Sequence, residues 1–211
     1  MRQEPWTLPE GWRWELLGSV CTINPRRPSG FHRDPDAPTT FVPMAAVDEE
    51  TGTIASPQVV PYHQVANGYT FFQEGDVLFA KITPCMQNGK HAIARGLIDG
   101  VGFGSTEFHI LRPHRGKVLP EWVWLFIRQP SFLKEAEAHF TGSVGQQRVP
   151  AEFLKRHLIP VPPLQVQERM LAEILPKLET LHKLKKALQR QLEAVNALPQ
   201  AYLRKAFRGE L

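Results

Sequence analysis

The strongest constraint on this chain is a seven-residue rhythm in its C-terminal arm. From Leu164 to about Asn196, apolar residues recur in alternating steps of three and four: Leu171, Ile174, Leu178, Leu181, Leu188, Leu192 and Val195. Lys185 takes the one charged slot. That period lines one stripe of a helix and is the pattern by which helices bury a seam against each other. About 33 residues at 1.5 Å each make a rod of roughly 50 Å. Two partners fit such a stripe: the preceding domain of the same chain, or a second chain. Pro176 cannot donate to the helix ladder, so a kink or break is expected there, and Pro199 predicts a second break.

Ahead of the arm the character is different. Residues 1–163 carry most of the 19 prolines and 15 glycines, which implies loops and short strands. The expected organisation is one globular domain over 1–163 and a helical region over 164–211. Strands are expected over Phe41–Val47 and within Gln58–Val65 and Tyr69–Phe72, with a buried strand after Gly75 running towards Ile82. His91–Leu97 reads as the returning strand and Thr106–Arg112 as another. Glu15–Cys21 fits a short helix, Glu121–Gln129 is apolar, and Ser131 reads as the cap of a helix running towards Phe140. This mixed order predicts an α+β fold. Trp6, Trp12 and Trp14 read as core anchors at the entry to the domain.

Several chemistries lack their residues. The eight histidines are scattered and the two cysteines have no metal spacing, so no metal site is expected. Two cysteines without metal-type spacing, no long apolar run and no signal-type N-terminus suit a reducing cytoplasm, with no membrane partner. Gly100-Val101-Gly102-Phe103-Gly104 superficially resembles a nucleotide loop, but a strand pattern follows where a phosphate cradle needs a helix N-terminus. Cys85 has no histidine in evident relay and reads as a structural thiol. No catalytic constellation emerges, so the expectation is a protein that is not an enzyme.

Charge and loop composition point towards phosphates. Between Lys177 and Arg208, eight lysines and arginines stand against Glu179 and Glu193. A basic helix is either a solvated face or a surface for an acidic partner. In the domain, smaller basic clusters include Arg26, Arg27 and Arg33. Two polar loops carry the residue types that reach base edges and phosphates. One runs from Lys81 to Lys90 and offers Lys81, Thr83, Gln87, Asn88 and Lys90. The other runs from Ser143 to Arg148 and offers Ser143, Gln146, Gln147 and Arg148. Ordinary solvated loops would have the same composition, and both readings stand.

The order of several blocks resembles one half of a type I restriction–modification specificity subunit. Leu8-Pro9-Glu10-Gly11-Trp12 is similar to the family's opening, and Phe41-Val42-Pro43-Met44 with Gly75-Asp76-Val77-Leu78-Phe79-Ala80-Lys81-Ile82-Thr83-Pro84-Cys85 to its central strand and loop. Ser105-Thr106-Glu107-Phe108 and Leu111-Arg112-Pro113 also fit. The most specific block is Thr141-Gly142-Ser143, Gln147-Arg148-Val149-Pro150 and Ile159-Pro160-Val161-Pro162-Pro163-Leu164; Ala206-Phe207-Arg208-Gly209-Glu210-Leu211 resembles a repeat end. Val166 departs from the pattern, since the family commonly has Glu-Gln where this chain has Val166-Gln167.

The resemblance implies a target recognition domain that reads one half of a split sequence in double-stranded DNA. It also implies a helical conserved region that docks methyltransferase (modification) subunits and, with them, a restriction subunit. Specificity subunits carry no catalytic site. No cofactor is therefore expected in this chain; S-adenosylmethionine, and ATP with magnesium, belong to the partner subunits. Family members usually carry two domain–helix units with antiparallel helices. This chain contains one, so an antiparallel coiled coil with a second copy, or with another half, is expected. The alternative is a coiled-coil assembly module that does not read DNA.

Overall fold

In the computed structural model, residues 6–143 and 146–210 are described. Val144 and Gly145, at the centre of the second candidate loop, lie outside them, as do residues 1–5 and Leu211. The chain divides into two units, Met1–Leu171 and Ala172–Leu211.

The first unit opens with β1 (Arg13–Leu16), a single turn α1 (Leu17–Val20) and β2 (Cys21–Ile23). The helix expected over Glu15–Cys21 is thus one turn between two strands, because Leu17 and Val20 are pulled into the core. Next come β3 (Pro38–Val42), a 3-10 turn over Met44–Ala46, β4 (Gln58–Pro61) and α2 (Tyr62–Val65). After these lie β5 (Thr70–Gln73), β6 (Val77–Ala80), β7 (His91–Ile93), β8 (Val101–Gly104) and β9 (Phe108–Pro113). Helices α3 (Pro120–Ile127), α4 (Pro130–Ala138) and α5 (Ala151–Arg156) and the strand β10 (Leu158–Val161) complete the body. Ser131 does not cap α4; Pro130 sits at its start and Gln129 is the cap residue without a side-chain bond.

Two four-stranded sheets organise this unit, in orders β2-β9-β6-β7 and β4-β3-β8-β5, and β1 pairs with β10 separately. The first sheet is sandwiched. Val77 and Phe79 of β6 join a core with Phe126, Ile127, Phe132 and Leu154 from the helices. Leu78 and Ala80 of the same strand join a second core with Val42 and Phe72 of the other sheet. A strand covered on both faces is a continuous apolar run rather than an alternating one, which is why Val77-Leu78-Phe79-Ala80 has no polar position. Phe71 and Phe103 belong to a third cluster on the far side of the second sheet. Of the glycines that resemble a phosphate loop, Gly100 ends a 3-10 turn and Gly102 and Gly104 lie in β8: a Cβ on Gly102 would overlap the Phe72 ring, and one on Gly104 would lie 2.7 Å from the Val42 carbonyl oxygen.

Buried polar groups lock this arrangement. Asp76, in the turn before β6, is 1% exposed. Its carboxylate accepts Arg112 Nε at 2.8 Å, Arg112 Nη2 at 2.7 Å and the Gln73 amide at 2.8 Å. Arg112 lies on β9, so this bidentate pair ties the start of β6 to its neighbour, where Val77 pairs with Leu111. Arg128 donates to the carbonyls of Gly89, Glu49 and Glu50 and lies over Trp124, pinning the 48–52 turn to the 89–91 segment. The tryptophan cluster differs from expectation: Trp6 is 54% exposed and packs edge-on against Trp14, and Trp12 packs against Trp122. These rings cover a surface edge instead of filling the core.

The helix α6 runs over Leu164–Arg208 with Pro176 and Pro199 inside it, so neither proline breaks it. A proline removes one ladder bond and leaves the turns on either side helical. Thr180 Oγ1 also donates back to the Pro176 carbonyl at 2.9 Å. The first turns of α6 belong to the body, which moves the unit boundary past the expected Pro163/Leu164 junction. The cause is Gln167, which is fully buried. It accepts the Leu119 amide at 2.9 Å and donates to the carbonyls of Lys117 at 3.1 Å and Pro162 at 2.8 Å. Leu171, expected in the seam, is buried as part of this first unit.

In the second unit the stripe is open. Leu178, Leu181, Leu188, Leu192 and Val195 are all exposed, and so are Leu184 and Leu198; Ile174 is half-buried. At 100° per residue, Leu184 lies about 60° to one side of Leu181 and Lys185 about 40° to the other. Apolar surface therefore continues past the charged slot.

Candidate nucleic-acid interface

The fold brings the two candidate loops together. Ile82 and Arg148 form a β-bridge, and Arg148 bridges Thr141 in turn. The Thr83 amide donates to the Gln147 carbonyl at 3.1 Å, and the Val149 amide to the Lys81 carbonyl at 2.9 Å. Residues some 60 positions apart thereby share one rim of the body.

Many of the side chains on that rim are already committed. Arg148 makes a two-point pair with Glu107, Nε and Nη2 each at 2.8 Å, and Nη1 donates to the Gln146 carbonyl at 2.8 Å. The pairing holds the Glu107 carboxyl below the usual carboxylate range. Thr83 donates to Gln87 at 2.6 Å, and Gln87 donates onward to Glu137 at 2.8 Å. Asn88 reaches Glu49 at 3.5 Å, and Lys90 donates to the Val47 carbonyl at 3.2 Å. These residues brace the rim. Ser143, Gln146 and Gln147 are on it with no side-chain hydrogen bond among the described residues.

Beside the rim is a cleft of about 420 Å³ that sequence reading did not identify. It is lined by Asn24, Arg27, Asn67, Tyr69, Lys81 and Thr106, together with Phe71, Phe103, Phe108 and His109. Asn24 sits at φ 52°. Its side-chain oxygen accepts the Ile110 amide at 3.0 Å and its amide donates to His109 Nδ1 at 2.9 Å. His109 Nε2 then donates to the Val149 carbonyl at 2.8 Å, which fixes the neutral tautomer. Arg27 donates to the Tyr62 hydroxyl at 3.0 Å and the Ala66 carbonyl at 2.9 Å. The sequence signals for the cleft are the Arg26-Arg27 cluster and Lys81 of the first candidate loop; its other residues have no local pattern.

Two buried histidines set a pH response. Burial pushes His91 down to about 3, helped by the Arg128 charge, and pushes His109 down to about 4. His91 stacks on Phe79 at 4.4 Å and accepts the Ala80 amide at 3.1 Å. Both rings are neutral when folded and take up a proton when unfolded, from the ordinary value of 6.5 downwards. Their stabilisation is complete above about pH 6.5 and is lost as pH falls towards 4 and then 3. The expected loss is about 1.4 kcal/mol per pH unit for each histidine in that window. Urea unfolding at pH 7, 6 and 5 checks this; an unchanged midpoint would refute it.

A two-sheet α+β body with a polar cleft, followed in the chain by a long helix with an open apolar stripe, defines the fold class of this chain. Comparison with known proteins gives that class its family: the chain belongs to the type I restriction modification DNA specificity domain family, whose model matches residues 9–194. It is 35% identical over 201 residues to the type I restriction enzyme EcoAI specificity subunit of Escherichia coli, covering 95% of this chain and 34% of that protein. It is 38% identical over 168 residues to the EcoEI specificity subunit of Escherichia coli, covering 80% of this chain and 28% of that one. The HsdS subunit from Thermoanaerobacter tengcongensis superposes with a TM-score of 0.72 at 26% identity, over 97% of this chain and 51% of that chain. A chain solved in work on complex assembly and conformational transition of the type I R-M system superposes at 0.79, also with 26% identity, over 96% of this chain and 51% of that one. The chain thus spans about a third of the curated relatives and half of the solved ones. No helix among the described residues is long and apolar enough to cross a membrane.

Proposed function

We propose that this chain reads one half of a bipartite target in double-stranded DNA, and that its helical unit pairs with a second half while docking the methyltransferase and restriction subunits of a type I complex. The observation that carries the reading is the convergence of two polar loops on one rim, beside a basic cleft, in a body of the DNA specificity family. Ser143, Gln146 and Gln147 are the base-reading candidates, because an uncommitted amide can pair with two atoms of an adenine edge. Thr83, Gln87, Asn88, Lys90 and Arg148 support that rim. The chain's own role is non-catalytic and cytoplasmic, with S-adenosylmethionine and magnesium–ATP chemistry on the partner subunits.

The pairing half of the proposal rests on the exposed stripe from Leu178 to Val195. An antiparallel pair of such helices sets two heads roughly 50 Å apart, more than the 34–36 Å of one DNA turn. Two identical heads would read a two-fold symmetric site around an unread spacer. The test is co-expression with the modification subunit, followed by mapping of methylated sites in genomic DNA. The expected result is a bipartite motif that changes when the body is exchanged for that of a relative. Co-purification without any motif, and without salt-dependent DNA binding, would make the chain an assembly module instead.

Arg148 gives a narrower test. Arg148→Ala leaves Glu107 unneutralised beside Lys81, so DNA binding is expected to weaken by about fivefold, the scale of an exposed ion pair. Adding Glu107→Gln removes the stranded carboxylate and is expected to recover most of the loss. A double variant as weak as the single one would mean that Arg148 touches DNA directly.

A further inference from the structure

The cleft has a chemical character that the rim does not. Its uncommitted polar side chains can all donate, two of them are cations and none is an anion. Arg27 uses Nη1 on Tyr62 and Ala66, leaving its other guanidinium nitrogens available. Among the described residues, no hydrogen bond or ion pair holds the Lys81 ammonium, although its backbone is fixed on both sides by the Glu107 carbonyl and the Val149 amide. Asn24 retains one amide hydrogen after serving His109, and Asn67, Tyr69 and Thr106 are exposed around the mouth. No carboxylate is among the residues that line the cleft. Glu107, next to Thr106, is occupied by Arg148.

A concave surface with two cations, several neutral donors and no anion suits a ligand made of acceptors. A row of phosphodiesters is such a ligand; a base edge, which mixes donors and acceptors, is a poorer match. Half-burial adds to this. Desolvation lowers the Lys81 pKa, with the Glu107 charge opposing and the Arg148 charge adding to that; because Glu107 is itself bound by Arg148, a phosphate at the mouth would give the ammonium an anion of its own.

We infer that this cleft is the backbone clamp of the body: Lys81 and Arg27 hold phosphates of one DNA strand, and the neighbouring rim is thereby set over the base edges. The inference rests on the proposed DNA-reading function and adds the residues that position the duplex. It also separates the two loops of the rim. Lys81 belongs with Arg27, which lies 54 positions earlier in the chain, more than with Gln87, Asn88 and Lys90 of its own loop.

The test is the salt dependence of binding by the full chain to a mixed-sequence DNA duplex. Each phosphate contact contributes about 0.9 to the slope of log affinity against log salt. Lys81→Gln is expected to reduce the slope by about 0.9, and Lys81→Gln with Arg27→Gln by about 1.8. Arg115→Gln removes the same charge beyond the opposite end of β9 and is expected to leave the slope unchanged. Lys81→Gln alone keeps the test decisive should Arg27→Gln loosen the turn it braces. Inorganic phosphate, at ionic strength matched with chloride, should not displace the duplex; displacement at low millimolar concentration would make this a free-anion site and overturn the clamp. A steep parental slope that survives in both cleft variants overturns the clamp while leaving DNA reading intact. A parental chain with no salt-dependent binding overturns the functional reading itself.

Discussion

Leu181→Asp is expected to leave the chain monomeric under conditions where the parent pairs through its helical unit. Leu181 is 60% exposed and sits mid-stripe, with Leu178, Leu184 and Leu188 within two turns of it. Burying one leucine side chain is worth about 1.5–3 kcal/mol, and a symmetric pair buries two copies. Losing both therefore removes about 3–6 kcal/mol before the cost of desolvating two carboxylates is counted, which is at least a hundredfold in Kd. Ala197→Asp is the matching control: it places the same charge about 160° around the helix from Leu181 and should leave pairing unchanged. Sedimentation of parent and both variants decides the matter. A Leu181→Asp chain that still pairs would show that the stripe is not the seam. The body should be unaffected, because Leu181 belongs to the second unit.

That stripe was readable from spacing alone because a seven-residue rhythm has few other causes. The same reading missed where the stripe becomes open. Leu171 continues the rhythm as well as Leu178 does, and only the Gln167 contacts with Leu119, Lys117 and Pro162 assign the first turns of the arm to the body. Leu119 and Lys117 lie 48 and 50 positions upstream, so no local pattern announces them. Lys185 takes the one charged slot of the series, and Leu184 beside it keeps the apolar face continuous. Neither Pro176, where a kink or a break is expected, nor Pro199 breaks the helix, for a similar reason: propensity is local, and the turns around each proline suffice to carry the helix through.

In the body, the strand at Val77–Ala80 was legible because burial on both faces demands an unbroken apolar run. Between Glu15 and Cys21 the short helix is legible, but the strands β1 and β2 that trim it to one turn are not, since three or four residues leave no period to detect. The site divides in the same way. Composition located loops with the right side chains, and Ser143, Gln146, Gln147 and Lys81 keep theirs uncommitted. It could not tell that Arg148 is spent on Glu107, or Gln87 on Glu137. Nor could it assemble the cleft, whose residues come from 24–27, 66–71, 81 and 103–110. Sheet pairing collects them: β8 lies parallel to β3 in one sheet, and β9 stands between β2 and β6 in the other.

The same sheet pairing makes Arg112→Ala the most damaging single change expected in the body. Removing the guanidinium strands the Asp76 carboxylate, whose side chain is 2% exposed, with only the Gln73 amide left as a side-chain partner. Breaking a buried pair from one side costs about 3–5 kcal/mol, because an uncompensated charge remains in the interior. At roughly 2–4 °C per kcal/mol for a body of this size, the melting temperature should fall by about 6–20 °C. Asp76→Asn with Arg112→Ala removes the stranded charge and should recover a large part of the loss, which a purely steric role for Arg112 would not allow. If the single and double variants melt together, the damage lies in lost packing by the arginine stem. The effect should extend to the cleft. Asp76 anchors the start of β6, and Lys81 directly follows the end of that strand. At a temperature where most Arg112→Ala chains remain folded, the slope of DNA affinity against salt should match the parent's while the fraction of binding-competent protein falls. A reduced slope in the folded fraction would instead mean that this ion pair sets the position of Lys81 and not merely the stability of the sheet that carries it.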